Sequence, residues 1–249
     1  MRGKTALVLS AGGYFGAYQA GVWKALKRDV NIDLVVGASV GALNGWSIAA
    51  GCSGEELAET WLHPSTARDL TFTAKPSLSA GYFEHGPLLE RAKTLMRDYT
   101  PRIPFGLVTV ELPWLRPRLI ETPAVTPRHL LASCAIPLIM RSVLIDGRRF
   151  TDGGLINKIP VWAAVQMGAT EIIAVDSCPT VTPWWVQAGS QVLRRIRPTP
   201  ALPPGVNVRI ISPSELLGNA RDAVIWKQQN IERWVELGMR DAAHVFALQ

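Results

Sequence analysis

One serine in this chain sits where it could serve as a nucleophile. Gly37-Ala38-Ser39-Val40-Gly41 has the form G-x-S-x-G and falls between an apolar run, Ile32 to Val36, and an uncharged helical stretch, Val40 to Ala50. At a strand-to-helix junction the flanking glycines permit a cramped turn that lifts the hydroxyl clear of the sheet. The same turn sets it at the positive end of the helix, where a developing alkoxide and oxyanion are stabilised. The competing use of these residues is a tight structural turn. Acyl transfer from such a serine also needs a base. Asp152-Gly153-Gly154 follows a predicted strand, and its glycines free the backbone to bring a carboxylate up to another loop. Burial would raise that carboxyl's pKa toward the working pH. The other reading of this tripeptide is an Asx-type turn ahead of a helix.

Oxyanion donors have a candidate source in Ala11-Gly12-Gly13-Tyr14-Phe15-Gly16, which follows the first predicted strand and opens the first helix. In a parallel sheet the C-terminal ends of neighbouring strands lie side by side, so this loop and Ser39 could share one cleft. Ala11-x-Gly13-x-x-Gly16 also fits a dinucleotide fingerprint, but the acidic residue wanted at the end of the second strand is replaced by Gly37-Ala38-Ser39, with Asp33 at that strand's start. The four histidines, His63, His85, His129 and His244, lie in no obvious catalytic loop, and few elements precede Ser39, so a Ser-His-Asp triad fits poorly. Cys52, Cys134 and Cys178 are far apart and odd in number; they read as reduced core residues, and no metal site is expected.

Elements that could position these residues follow from periodicity. Lys4–Ser10 and Ile32–Val36 read as strands, Ala17–Arg28 and Val40–Ala50 as helices: β-turn-α twice, which argues for a parallel sheet. Ser53 with Glu55 and Glu56 caps a helix to Leu62; residues 64–86 read as a loop or lid, and Pro87–Tyr99 as a helix. Gly106–Leu112 and Pro117–Thr122 form an expected antiparallel pair around Pro113-Trp114. A helix from Thr126-Pro127 to Cys134 leads to a hairpin, Val143–Ile145 and Arg149–Thr151, turning on Asp146-Gly147. Pro160–Met167 reads as a helix, Glu171–Asp176 and Val206–Ile211 as buried strands, and Asn219 onward as mostly helix.

With 249 residues, 48% of them hydrophobic and 18% charged, the chain is globular, and one domain over 1–249 is expected. Leu34–Gly54 is uncharged for 21 residues but holds Ser39, Asn44, Ser47, Ser53 and five glycines, which suits a buried strand and helix better than a membrane span. No signal peptide is visible, so the expected location is cytoplasmic, with peripheral membrane contact. The net charge of +6 rests on 19 Arg against 7 Lys. Ser177–Ser214 has no acidic residue; there Trp184 and Trp185 with Arg194, Arg195 and Arg197 suit a phosphate-rich lipid surface, a dimer contact or a solvated face. RNA would suit the same charges, but no RNA-binding motif accompanies them, and no nucleic acid partner is expected.

Together these segments resemble the patatin-like phospholipase family. Leu9 to Val22 is similar to its glycine-rich oxyanion segment, Gly37 to Gly41 to its nucleophile elbow, and Asp152-Gly153-Gly154 with Asn157 and Pro160 to its D-G-G-x-x-x-N-x-P block. Ala132-Ser133-Cys134-Ala135-Ile136-Pro137 resembles the segment that precedes that block. The resemblance, over about residues 4–176, implies a three-layer α/β/α sandwich with a mainly parallel sheet. It implies a Ser39–Asp152 dyad without metal or cofactor, oxyanion N–H groups from Gly12 and Gly13, and Gly16 keeping the turn into the helix open. It also implies hydrolysis of lipid acyl esters through an acyl-enzyme; the alternative is a catalytically silent lipid-binding or scaffold protein of the same fold. Two departures stand out: Ala11 where the family usually has Gly, and Phe15 where it usually has Arg or Lys. The second predicts a preference for neutral esters, through loss of a cation for an anionic head group.

Overall fold

A computed structural model describes residues 3–26, 30–68, 72–77, 81–137, 139–177 and 200–247. The Trp184/Trp185 and Arg194–Arg197 segment and Cys178 lie outside the described residues. β1 (Lys4–Leu9), α1 (Gly16–Leu26), β2 (Leu34–Ala38), α2 (Val40–Ala49) and α3 (Gly54–Leu62) form the first third of the chain. There follow β3 (Phe72–Ser77), β4 (Gly81–Phe83), α4 (His85–Asp98), β5 (Phe105–Leu112), β6 (Arg116–Glu121) and α5 (Pro127–Ser133). β7 (Val143–Ile145), β8 (Arg148–Asp152), α6 (Val161–Gln166), β9 (Ala169–Val175), β10 (Asn207–Ile211) and α7 (Gln228–Ala247) complete it.

The main sheet runs β10-β9-β1-β2-β5-β8-β7, with β6 on β5; β10, β9, β1, β2 and β5 are parallel, while β6 and β8 are antiparallel to β5. Strand order explains the layers. From β1 to β2 to β5 the chain advances in one direction, and right-handed crossovers put α1 and α2 on one face. After β8, which runs against the parallel strands, the chain turns back across the sheet to β9, and α6 packs on the other face. Alternation then divides the core: Leu7, Leu9, Val35 and Leu107 pack toward α1, α2 and α7, while Ala6, Val8, Leu34, Val36 and Val108 pack toward Ala163 and Ala164 of α6. This is the expected α/β sandwich, with one thick helical layer and one thin.

Departures from the sequence expectation are local. Residues 64–86 contain a short 3-10 helix at Pro64–Arg68 and the β3–β4 hairpin. Val206–Ile211 is not a buried strand: β10 is the sheet edge, and Ile210 is exposed. Asn219 onward begins with turns, and helix starts only at Gln228. The uncharged 34–54 stretch is β2 and α2, and among the described residues no helix is long and apolar enough to cross a membrane. Cys52 and Cys134 are buried.

Candidate active site

Ser39 stands at the turn between β2 and α2 with φ 54° and ψ −128°, a conformation that L-residues adopt only under constraint. Two contacts impose it. Gly37 lies against the carbonyl of Gly41, and Gly41 against the carbonyls of Leu9 and Ser10, so neither position has room for a larger residue without a backbone shift. The Ser39 N–H also donates to Ser133 Oγ at 2.9 Å, and that hydroxyl in turn donates to the Val108 carbonyl at 2.7 Å. Ser133, buried in the last turn of α5, thereby braces the elbow against β5.

Asp152 reaches the same spot by strand geometry. One edge of β5 pairs with β2 up to Ala38↔Val108, and the next residue along that edge, Thr109, pairs with Asp152 of β8. β6 covers the other edge throughout. β2 runs with β5 and β8 runs against it, so the two strands meet head to head, each presenting its C-terminal end. Thr151 Oγ1 donates to Ala135 O at 2.6 Å, Asp152 N–H donates to the same carbonyl at 3.0 Å, and Thr109 Oγ1 donates to Thr151 O at 2.7 Å. The Asp152 side chain is 5% exposed; its Oδ1 accepts from the Gly154 N–H at 2.7 Å, within the turn opened by Gly153 and Gly154. Burial pushes its pKa up to about 6, against the opposing pull of the Ser39 hydroxyl and the Gly154 N–H. Oδ2 is buried without a completed hydrogen bond among the described residues. The pull of the Ser39 hydroxyl on this carboxyl sets the two side chains beside one another.

The glycine-rich loop closes around this pair. Gly16 abuts Val40, Gly41 abuts the carbonyls of Leu9 and Ser10, and Gly154 abuts Ala11. The motifs around residues 10–16, 37–41 and 152–154 thus form one contiguous cluster. Ala11 N–H donates to Lys158 O at 2.9 Å, and Tyr14 N–H donates to Ala223 O at 2.9 Å, from a turn segment ahead of α7. The N–H groups of Gly12 and Gly13 have no acceptor among the described residues. Beneath the loop runs a buried polar chain: Trp61 Nε1 donates to Asn44 Oδ1 (3.0 Å), Asn44 Nδ2 to Gln19 Oε1 (3.0 Å), and Gln19 Nε2 to Ser10 O (2.7 Å) and Ser177 Oγ (3.1 Å).

Phe15 is buried edge-on against Trp234 of α7, ring centroids 4.9 Å apart. Its side chain faces the core, so the loss of a cation at this position does not remove a head-group partner, and the neutral-ester expectation loses its stated cause. The histidines are engaged elsewhere: His129 with Thr126 at the start of α5, His85 with Arg141 O, His63 with Ser65, and His244 lies in α7. No group of three or more His, Cys, Asp or Glu suited to a metal occurs among the described residues.

Sequence reading missed Ser133, Gln19 and Asn44 as parts of this site. Gln19 and Asn44 did carry a signal, as polar residues inside largely buried, mostly apolar helices. Ser133 carried none that spacing could reveal, because its partners Ser39 and Val108 come from two other elements.

Such an elbow on a mainly parallel α/β sheet defines a class, and comparison with known proteins identifies the family. The patatin-like phospholipase family model matches residues 7–165, more than half of the chain, and the protein belongs to that family. It is 28% identical over 203 residues to lysophospholipase NTE1 of Mycosarcoma maydis, covering 72% of this chain and 10% of that protein. It is 28% identical over 220 residues to an uncharacterized NTE family protein of Mycobacterium tuberculosis, covering 80% of this chain and 57% of the relative. The chain therefore spans between a tenth and a little over half of these relatives. Among solved structures VipD from Legionella pneumophila shares the fold, with a TM-score of 0.58 and 13% identity over all of this chain and 67% of that one.

Proposed function

We propose that this protein is a serine hydrolase of lipid acyl esters, of phospholipase, lysophospholipase or carboxylesterase type. Ser39 is the nucleophile and Asp152 the base. The observation that carries the reading is the head-to-head meeting of β2 and β8, which sets the Ser39 hydroxyl beside a buried carboxyl with a pKa of about 6. In acylation Asp152 takes the Ser39 proton as Oγ adds to the acyl carbonyl, then returns it to the departing alcohol. In deacylation it takes a proton from water as the water oxygen adds to the acyl carbon, then gives that proton to Ser39 Oγ as the ester bond breaks, and the acyl group leaves as a carboxylic acid. The unengaged N–H groups of Gly12 and Gly13, with that of Val40 at the head of α2, support an oxyanion hole. Family membership and the lysophospholipase relative support a lipid ester as substrate.

The test is fluorophosphonate labelling with peptide mass mapping on wild type, Ser39→Ala and Asp152→Asn, alongside p-nitrophenyl ester turnover with and without lipid vesicles. An adduct on Ser39 and turnover lost in both variants are expected. A folded wild type that neither labels nor turns over, with vesicles present, would overturn the reading in favour of a silent lipid-binding protein.

A further inference from the structure

β5 continues past the meeting point of Ser39 and Asp152. From Thr109, level with Asp152, it runs three more residues to Leu112, about 10 Å at the rise of a strand, before turning through Pro113–Leu115 into β6. β8 runs antiparallel beside it, with Arg149 opposite Leu112, so the Asp146–Gly147 turn projects beyond the same end of the sheet. The tips of two hairpins therefore stand side by side past the C-terminal ends of β1 and β2, the end at which the glycine-rich loop and Ser39 lie.

These tips carry an unusual surface. Trp114 is 63% exposed and Leu144 is 50% exposed. Arg116, Arg148 and Arg149 are exposed around them. The cationic side is only partly offset: buried Glu111 is engaged by Arg118 at 2.6 Å and Arg148 at 3.7 Å, and the one exposed carboxylate of the turn is Asp146. Exposed Trp and Leu flanked by arginines match an interface that is apolar inside and anionic at its surface.

We propose that the β5–β6 and β7–β8 hairpin tips form a docking surface for an anionic phospholipid bilayer, with Trp114 and Leu144 entering the interface and Arg116, Arg148 and Arg149 meeting lipid phosphates. Docking in this orientation turns the end of the sheet that holds Ser39 toward the lipid. The surface differs from the Trp184/Trp185 segment. It deepens the lipid-hydrolase reading, but the docking itself needs no turnover.

The experiment is vesicle co-sedimentation with phosphatidylcholine alone and with phosphatidylcholine mixed with phosphatidylglycerol. It compares wild type, Trp114→Ala, and the double variant Arg116→Glu/Arg149→Glu, which leaves the Glu111 ion pairs intact. Wild type is expected to prefer the mixed vesicles, and the double variant to partition at least roughly tenfold more weakly. Trp114→Ala should weaken binding to the mixed vesicles, and turnover of a soluble p-nitrophenyl ester should be unchanged in both. Equal partitioning of wild type and double variant, or no preference for phosphatidylglycerol in wild type, overturns the proposal. Thermal melts of all three proteins establish folding independently, so an absence of esterase activity would count against the hydrolase reading and not against docking.

Discussion

Asp152 combines two properties that pull against each other. A carboxyl with a folded pKa of about 6, against an ordinary value of 3.8, holds its proton more tightly in the native state than in the unfolded one. Its contribution to stability is complete below about pH 4 and is lost as pH rises through 6, by about 3 kcal/mol in all. Asp152→Asn lacks this titration, so it should gain stability relative to wild type as pH rises from about 4 to 7, read by urea melts at both ends, while its turnover is abolished. Turnover by wild type should fall below an apparent pKa near 6, because there the base is protonated. Ser39 bears a second strain, in its backbone. Replacing it by glycine should stabilise the fold by about 1 kcal/mol where Ser39→Ala does not, since only glycine relaxes at φ 54°.

At the scale of elements, the site depends on α5. Ser133→Ala leaves the Ser39 N–H and the Val108 carbonyl without their buried partner, at a cost of about 1–3 kcal/mol. It should lower kcat more than it raises KM, because the elbow loosens while the rest of the site stands; stopped-flow acylation and a thermal melt read the two effects. Most elements were legible in the sequence, because their signals are local: the capping box of Ser53 and Glu56, the Asp146-Gly147 turn with both residues at positive φ, the Pro127 helix start. The edge position of β10 was not legible, since Val208, Ile210 and Ile211 read as apolar whether one face of a strand is covered or both. The elbow and the Asp-Gly-Gly turn were likewise visible one by one. Their meeting on a single edge of β5 was not, because it depends on the register of two strands far apart in sequence.

Across the whole molecule, α1 and α7 cross at close range, with Gly21 against the Val235 carbonyl and Gly238 against the Tyr18 carbonyl. Tyr18 and Ser214 both donate to Asp241 of α7, and Trp234 Nε1 donates to Leu217 O, so the C-terminal part of the chain is tied to the first helix. Gly238→Val should push the helices apart and cost about 1–3 kcal/mol in a chemical melt. Turnover should fall as well, because the segment that supplies the Ala223 carbonyl lies just ahead of α7. That carbonyl bears on the order in which the protein is made. A ribosome releases Ser39 and the glycine-rich loop early, Asp152 much later, and Ala223 later still. A nascent chain thus carries the serine without its carboxylate, then both without the contact that holds Tyr14. The cluster that gathers Ser39, Asp152 and the glycine-rich loop is completed only once the segment carrying Ala223 has been made.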